Sequence, residues 1–253
     1  MKNFFILCCL WIACCAISAQ EPCPQVIPAL QQWKGGSGKL ALPAEGNIVV
    51  NPADEAVLLS TAEILADDLS MMMGWNYSVK IGKPGKNDIY MALMKPDKEL
   101  GDEGYKLSVN RYAGIEAPTR KGVFWGTRTL LQMLYKQQGK ISKGTARDFP
   151  LFPNRGFMID AGRKFFTLDY LKQYVKILSF YKMNEFQIHL NDNGFPQFFD
   201  NDWNKTYAAF RLESERFPGL TAKDGSYTKK EFTDLQRLGI CLLYTSPSPR
   251  DTR

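Results

Sequence analysis

The sequence predicts an α/β protein in two unequal regions, and three observations carry that reading. Strand-sized apolar segments alternate with two long helical periods between residues 46 and 137. A proline-punctuated stretch, "ARDFPLFPNRG", then interrupts the pattern in the manner of a connection between domains. Beyond it come strand, helix, strand, long loop and helix, with short connections in the first unit, which is how a parallel α/β domain opens.

The first region, expected over residues 20–150, reads as a small α+β domain. After the Gly/Ser-containing "KGGSGK", the segment "GNIVV" at 46–50 is a short strand. Glu55 to Met73 is helical, with Val57, Leu58, Ile64, Leu65, Leu69 and Met72 at helical spacing. "YSVKIG", "DIYMALM", "GYKLSVN" and "YAGIEAP" follow as strands separated by Gly, Pro and Asn. "KGVFWGTRTLLQMLYKQ" closes the region as a helix that ends near Gly139.

The second region, residues 151–240, opens with the strand "RGFMIDAG". Thr167 caps a helix that presents Leu171, Tyr174, Val175, Leu178 and Tyr181 on one face. "NEFQIHL" is the next strand. Thr228 and Glu231 form a T-x-x-E capping box for a final helix running to about Leu238. In the second strand Phe186, Ile188 and Leu190 share one face, while Glu185, Gln187, His189 and Asn191 share the other. A strand of a parallel sheet normally has apolar cover on both faces, so a polar face calls for a polar neighbourhood, such as a barrel interior near an active-site mouth. Asp192 then lies just past the strand's carboxyl end. The pattern alone leaves two readings of His189 and Asp192 open: a functional pair, or a satisfied structural histidine and a loop-capping carboxylate.

Both termini read differently from the body. Lys2, the apolar run Phe4 to Ala16 and the small-residue exit Ile17-Ser18-Ala19 have the layout of a secretory signal peptide, residues 1–19. The expected protein is therefore exported, periplasmic or extracellular. A lipid-anchored form is the second reading, since Cys14 and Cys15 follow Ile12-Ala13, although Trp11 is bulky where such signals take a small aliphatic residue. No later segment is long and apolar enough to span a membrane. At the other end "CLLYTSPSPRDTR", residues 241–253, resembles translated sequencing-adapter DNA, and the natural chain is expected to continue past Ile240.

Composition excludes several classes. Hydrophobic residues at 45% and charged residues at 23% describe a chain that buries a core, not a disordered one. Four cysteines sit in the leader and Cys241 in the tail, so Cys23 alone remains in the body, which rules out an internal disulfide framework and a cysteine metal site. The net charge of +6 comes from scattered residues with no Arg/Lys stripe interleaved with aromatics, so nucleic acid is not an expected partner.

"FPNRGFMIDAGRKFF" and "YKMNEFQIHLND" resemble the start of the catalytic barrel in glycoside hydrolase family 20, the β-N-acetylhexosaminidases. "DEGYKLSV" with "IEAPTRKGVFWGTRTLLQML" resembles the small domain ahead of that barrel, and "FRLES" and "GLTAKDGSYTKKEF" resemble a loop and the second barrel helix. The resemblance implies a small α+β domain followed by the first units of a truncated (β/α)8 barrel. It also implies exo-acting hydrolysis of terminal β-linked N-acetylhexosamine with retention, on N-acetylhexosamine-containing glycans or chitooligosaccharides. The substrate's own acetamido oxygen would be the nucleophile, with no cofactor and no metal. Residue by residue, Arg155 matches the arginine that bonds sugar hydroxyls, its alternative being an ion pair between the two regions. Asp192 matches the carboxylate that orients the polar network, His189 matches the second histidine of an H-W-H-L pattern, and Asp160 with Arg163 matches a D-x-x-R pair read as structural. Gln187, Ile188, Lys164 and Asn193 depart from the family pattern. The acid Glu and its neighbouring Asp belong to a later strand, and nothing in residues 1–240 takes their place, so this chain by itself is expected to be inactive. A secreted, non-catalytic glycan-binding or pseudo-enzyme module is the alternative, which the departures at Gln187 and Ile188 would fit.

Overall fold

The computed structural model describes residues 20–192, 196–202, 210–218 and 220–242. The expected leader, Asn193 and residues 243–253 lie outside the described residues. The first region contains β1 (Gln32–Ala41), β2 (Glu45–Val50), α1 (Glu55–Met73), β3 (Asn76–Ile81), β4 (Ile89–Leu93), β5 (Tyr105–Val109), β6 (Ala113–Ala117), α2 (Arg120–Lys136) and β7 (Lys140–Asp148). Its strands form one seven-stranded mixed sheet in the order β1-β7-β5-β6-β4-β2-β3. The pairs among β2, β3, β4 and β6 are parallel, and those linking β6, β5, β7 and β1 are antiparallel.

Local chemistry explains both helices. Gly74, in the left-handed conformation at φ 67, ends α1 and gives its N–H to the Leu69 and Ser70 carbonyls. Thr119 caps α2 by accepting from the Gly122 N–H. Every residue of α2 from Gly122 to Leu134 is buried. A helix without a wet face lies between two layers. On one side is the sheet, so close that a Cβ on Gly126 would meet the Ile115 side chain at 2.5 Å. On the other is the second region, where Gln132 Nε2 donates to the Phe180 carbonyl at 2.8 Å.

Two strands escape the sequence reading. β1 contains the "KGGSGK" stretch, and β7, "KISKGTARD", lies where the region was expected to have closed. Both are rich in Lys, Gly and Ser, which have little strand preference of their own. They form because they pair with each other, from Gln32↔Arg147 to Ala41↔Lys140, around an irregularity between Gly35 and Lys39.

The second region contains β8 (Gly156–Asp160), α3 (Leu168–Phe180), β9 (Glu185–His189) and α4 (Lys229–Cys241). β8 and β9 are parallel neighbours, with Ile159 opposite Ile188 and Asp160 opposite His189. Leu171, Val175 and Leu178 of α3 are buried in one core with Ile159 and Phe186, each such side chain contributing about 1.5–3 kcal/mol. Tyr181, expected on that face, instead stands at the helix end and is 40% exposed, because the chain turns sharply at Lys182 (φ 60). The capping box of α4 is present in both directions. That helix runs on to Cys241 and buries Leu242, so the first two residues of the segment expected to be foreign continue the fold. No described helix is long and apolar enough to cross a membrane.

Candidate active site

The polar ends of β8 and β9 finish level with each other. Asp160 and His189 are register partners, and the Gly162 N–H binds the His189 carbonyl at 2.8 Å. The Arg163 N–H returns to Asp160 Oδ1 at 3.0 Å, which holds the turn closed. The Arg163 guanidinium then spans two carboxylates, with Nη1 at 2.9 Å from Asp160 Oδ2 and Nη2 at 3.0 Å from Asp192 Oδ2. His189 Nε2 lies 2.8 Å from the same Asp192 oxygen. Charge-assisted hydrogen bonds of this kind orient their partners as well as attract them. The cluster is open to solvent, with the Arg163 and His189 side chains 42% and 40% exposed.

Asp160, His189 and Asp192 bring ligand atoms within 4.8 Å of one another, a spacing a metal ion can use. Here the guanidinium of Arg163 already lies against both carboxylates and answers their charge. The resulting surface of fixed donors and acceptors suits a neutral, hydroxyl-rich ligand better than a cation.

A second arginine, Arg211, supports this mouth from below. It is completely buried. Its Nε donates to the Ala161 carbonyl at 2.6 Å, Nη2 to the Gly162 carbonyl at 3.3 Å, and Nη1 to the Gly225 carbonyl at 2.9 Å, while Asp224 takes its charge. One side chain thus ties together the turn after β8, the loop after β9 and the approach to α4. The spacing is tight: a Cβ on Gly162 would stand 2.9 Å from the Asp192 backbone nitrogen.

Arg155 is not in this cluster. It precedes β8, whereas the mouth lies at the strand's other end, roughly 16 Å away at the usual rise per residue. Its guanidinium is 13% exposed and is held by the Lys182 carbonyl at 2.7 Å, the Phe152 carbonyl at 2.8 Å and the Glu103 carboxylate. Glu103 belongs to the first region, so Arg155 is the inter-region ion pair that was its alternative reading. The physical reason is direction: side chains at opposite ends of one strand cannot share a pocket, and in α/β barrels functional groups stand at the carboxyl end. Asp192 and His189 are brought together at 2.8 Å. Arg163, read as structural, is the arginine that joins them. Arg211 was missed altogether, since "FRLES" lies in an irregular loop with no periodicity to announce burial.

A second inter-region contact lies beside Arg155. Lys182 reaches into the first region and donates to Asp148 and to the Tyr105 hydroxyl, both at 2.8 Å. Burial pulls the Lys182 ammonium below its ordinary range, and burial together with Asp148 pushes the Tyr105 phenol well up.

Taken together, these features define a class: a small α/β domain fused to the opening strands of a parallel β/α barrel with a polar mouth. Two family models match the chain, "Glycosyl hydrolase family 20, domain 2" over residues 23–149 and "Glycosyl hydrolase family 20, catalytic domain" over residues 152–247. The chain belongs to glycosyl hydrolase family 20. Among curated relatives, a beta-hexosaminidase from Porphyromonas gingivalis is 28% identical over 97% of this chain and 31% of its own length. A beta-hexosaminidase from Akkermansia muciniphila is 30% identical over 63% of this chain and 34% of its own. The chain therefore spans about a third of the length of these relatives. Among solved structures, the N-acetyl-beta-hexosaminidase of Streptomyces plicatus in complex with Thio-NAglucal superimposes with a TM-score of 0.71 at 26% identity, covering 90% of this chain and 46% of that one. The beta-N-acetylhexosaminidase of Bacteroides fragilis, at 22% identity, shares the fold with a TM-score of 0.66, covering 87% and 44%.

Proposed function

We propose that this chain is the sugar-holding part of an exported, exo-acting β-N-acetylhexosaminidase. The observation that carries the reading is the Arg163–Asp192–His189 cluster at the carboxyl ends of two parallel barrel strands. A guanidinium held by carboxylates presents its planar donor fork in a fixed direction, which is what binding vicinal sugar hydroxyls requires. Asp192, oriented by both Arg163 and His189, keeps that network in register. The names of relatives, beta-hexosaminidase and, from Cellulomonas fimi, beta-N-acetylhexosaminidase, support an N-acetylhexosamine as the sugar. Under this reading the acetamido oxygen of the substrate attacks the anomeric carbon, and a Glu protonates the leaving oxygen. A neighbouring Asp orients the acetamide. No such Asp–Glu pair stands at a strand end among the described residues. Export is part of the proposal and rests on the leader-like sequence of residues 1–19.

The test uses the chain as it stands. Titration with N-acetylglucosamine, followed by NMR, is expected to shift the ring signals of His189, the sole histidine. The Arg163→Ala variant is expected to lose that response. The chain is expected not to hydrolyse 4-nitrophenyl N-acetyl-β-glucosaminide. An unchanged response in Arg163→Ala removes the cluster from sugar binding, and hydrolysis by the chain places the acid within it.

A further inference from the structure

The sheet of the first region carries α1 and α2 on one face only. Among the described residues its other face, away from the second region and its mouth, bears no helix. On that face Lys34 of β1, Thr145 of β7 and Ser108 of β5 form a single cross-strand row. Lys143 lies two positions from Thr145 on the same side, and Arg111 lies in the turn between β5 and β6. With Tyr112 they line a groove of about 660 Å³ to which no carboxylate contributes. A second groove of about 580 Å³ continues it, sharing Lys34, Ser108 and Thr145, and adds Lys106 and Arg147 opposite Glu116. Arg147 is engaged by Asp97 and Glu99, but no ion pair between described residues involves Lys34, Lys106, Arg111 or Lys143.

We propose that this groove is a second glycan site that binds an acidic polysaccharide, one bearing sulfate or uronate groups. The proposal rests on the reading that the protein works on glycans, but it concerns a surface on the far side of the helical layer from the mouth. Uncompensated cations around a concavity create a local positive potential that attracts polyanions. The remaining lining is what sugar rings require. Ser108, Thr145 and Asn110 offer hydroxyl and amide partners. Tyr112 offers a ring, braced edge-to-face on Tyr90 at 5.9 Å. That ring lies over Gly114, where a Cβ would meet it at 3.1 Å, so the glycine keeps the platform low against the sheet. A nucleic-acid groove would call for a run of stacking rings, whereas this groove is lined by one aromatic residue, Tyr112, and its continuation by one more, Trp33. The volume is of the order found for ligand sites.

Binding of heparin and of polygalacturonate to the full chain is measured by isothermal titration at low and high salt. Neutral chitooligosaccharides and a single-stranded DNA of matched charge serve as comparisons. The expected result is binding of the acidic polysaccharides that weakens with salt, and a loss of about tenfold or more in Lys34→Glu/Lys143→Glu. Arg163→Ala is expected to bind these polymers like the parent, so failure at the mouth and failure on the sheet face are read separately. Thermal melts confirm folding, and Lys34→Gln/Lys143→Gln repeats the test without charge reversal. Absence of binding, equal binding by the double variants, equal binding of the neutral sugars or equal binding of the DNA each overturns the proposal.

Discussion

Arg163 and Asp192 leave the ends of two neighbouring parallel strands and meet at 3.0 Å across the mouth between them. Neither strand alone holds this geometry. It depends on the register that sets Asp160 beside His189 and on the Gly162 N–H bound to the His189 carbonyl. The contact is therefore a readout of correct β8–β9 pairing as well as a candidate binding element.

The first prediction separates the two arginines that flank β8. Arg163→Ala is expected to abolish N-acetylhexosamine binding with little change in stability, since its side chain is 42% exposed. Arg155→Ala is expected to destabilise by about 2–4 kcal/mol, because it strips partners from two carbonyls and from Glu103 at the region boundary. Urea unfolding midpoints and sugar titrations on both variants check this. A binding defect in Arg155→Ala without a stability loss would reverse the assignment.

Asp192→Asn keeps the shape of the side chain but removes the charge that Arg163 and His189 share. Binding is expected to weaken by about 1.5–3 kcal/mol, the worth of hydrogen bonds to a charged group. The His189 ring signals are expected to move even without ligand. If they stay in place in the variant, the 2.8 Å contact is not formed in solution.

Lys182→Met is expected to cost about 3–5 kcal/mol, because Asp148 would remain buried without its cation. Part of the Asp148 charge is still met by Tyr105 and the Gln31 N–H, which sets the lower end of that range. A differential scanning calorimetry melt that matches the parent would show that the ammonium lies outside the interface.

The cap of α4 supplies a pH test. Hydrogen bonds from the Thr228 backbone and hydroxyl lower the Glu231 carboxyl below the usual glutamate value. A carboxylate with a depressed folded pKa stabilises fully above its unfolded pKa, and that contribution disappears as pH falls through the folded value. Amide exchange in the first turn of α4 is thus expected to speed up selectively below about pH 4. Thr228→Ala keeps the backbone N–H but loses the hydroxyl bond, so it is expected to weaken the effect at a cost of about 1 kcal/mol, and Glu231→Gln is expected to remove it. The same acid sensitivity in Thr228→Ala as in the parent would dissociate it from the cap.

Local signals were legible in the chain, and contacts between distant segments were not. α1, α2 and the Thr228–Glu231 box are written in neighbouring residues, so periodicity and capping chemistry found them. Asp192 was placed at a strand end because alternation counts out the strand. The choice between Arg155 and Arg163 was different. Both flank one short strand, and only the parallel partner β9 tells which end is the mouth. Resemblance draws attention to Arg155, whereas the geometry sets Arg163 at the mouth. β1 and β7 stabilise each other across the whole domain, and Arg211 is buried by three separate loops, so neither has a local signature.

The buried run of α2, Gly122 to Leu134, has a mechanical consequence. The proline-rich stretch near residue 150 looks like a hinge in the chain, but a helix sandwiched on both sides leaves no slip plane there. With Gln132, Trp125 and the Tyr105–Lys182 contact all engaged across it, swivelling one region on the other would strip apolar area and orphan buried charge together. The first region therefore acts as a foundation for the barrel strands, fixed to the end opposite the mouth. Its sheet and the Arg163–Asp192–His189 cluster move as one body.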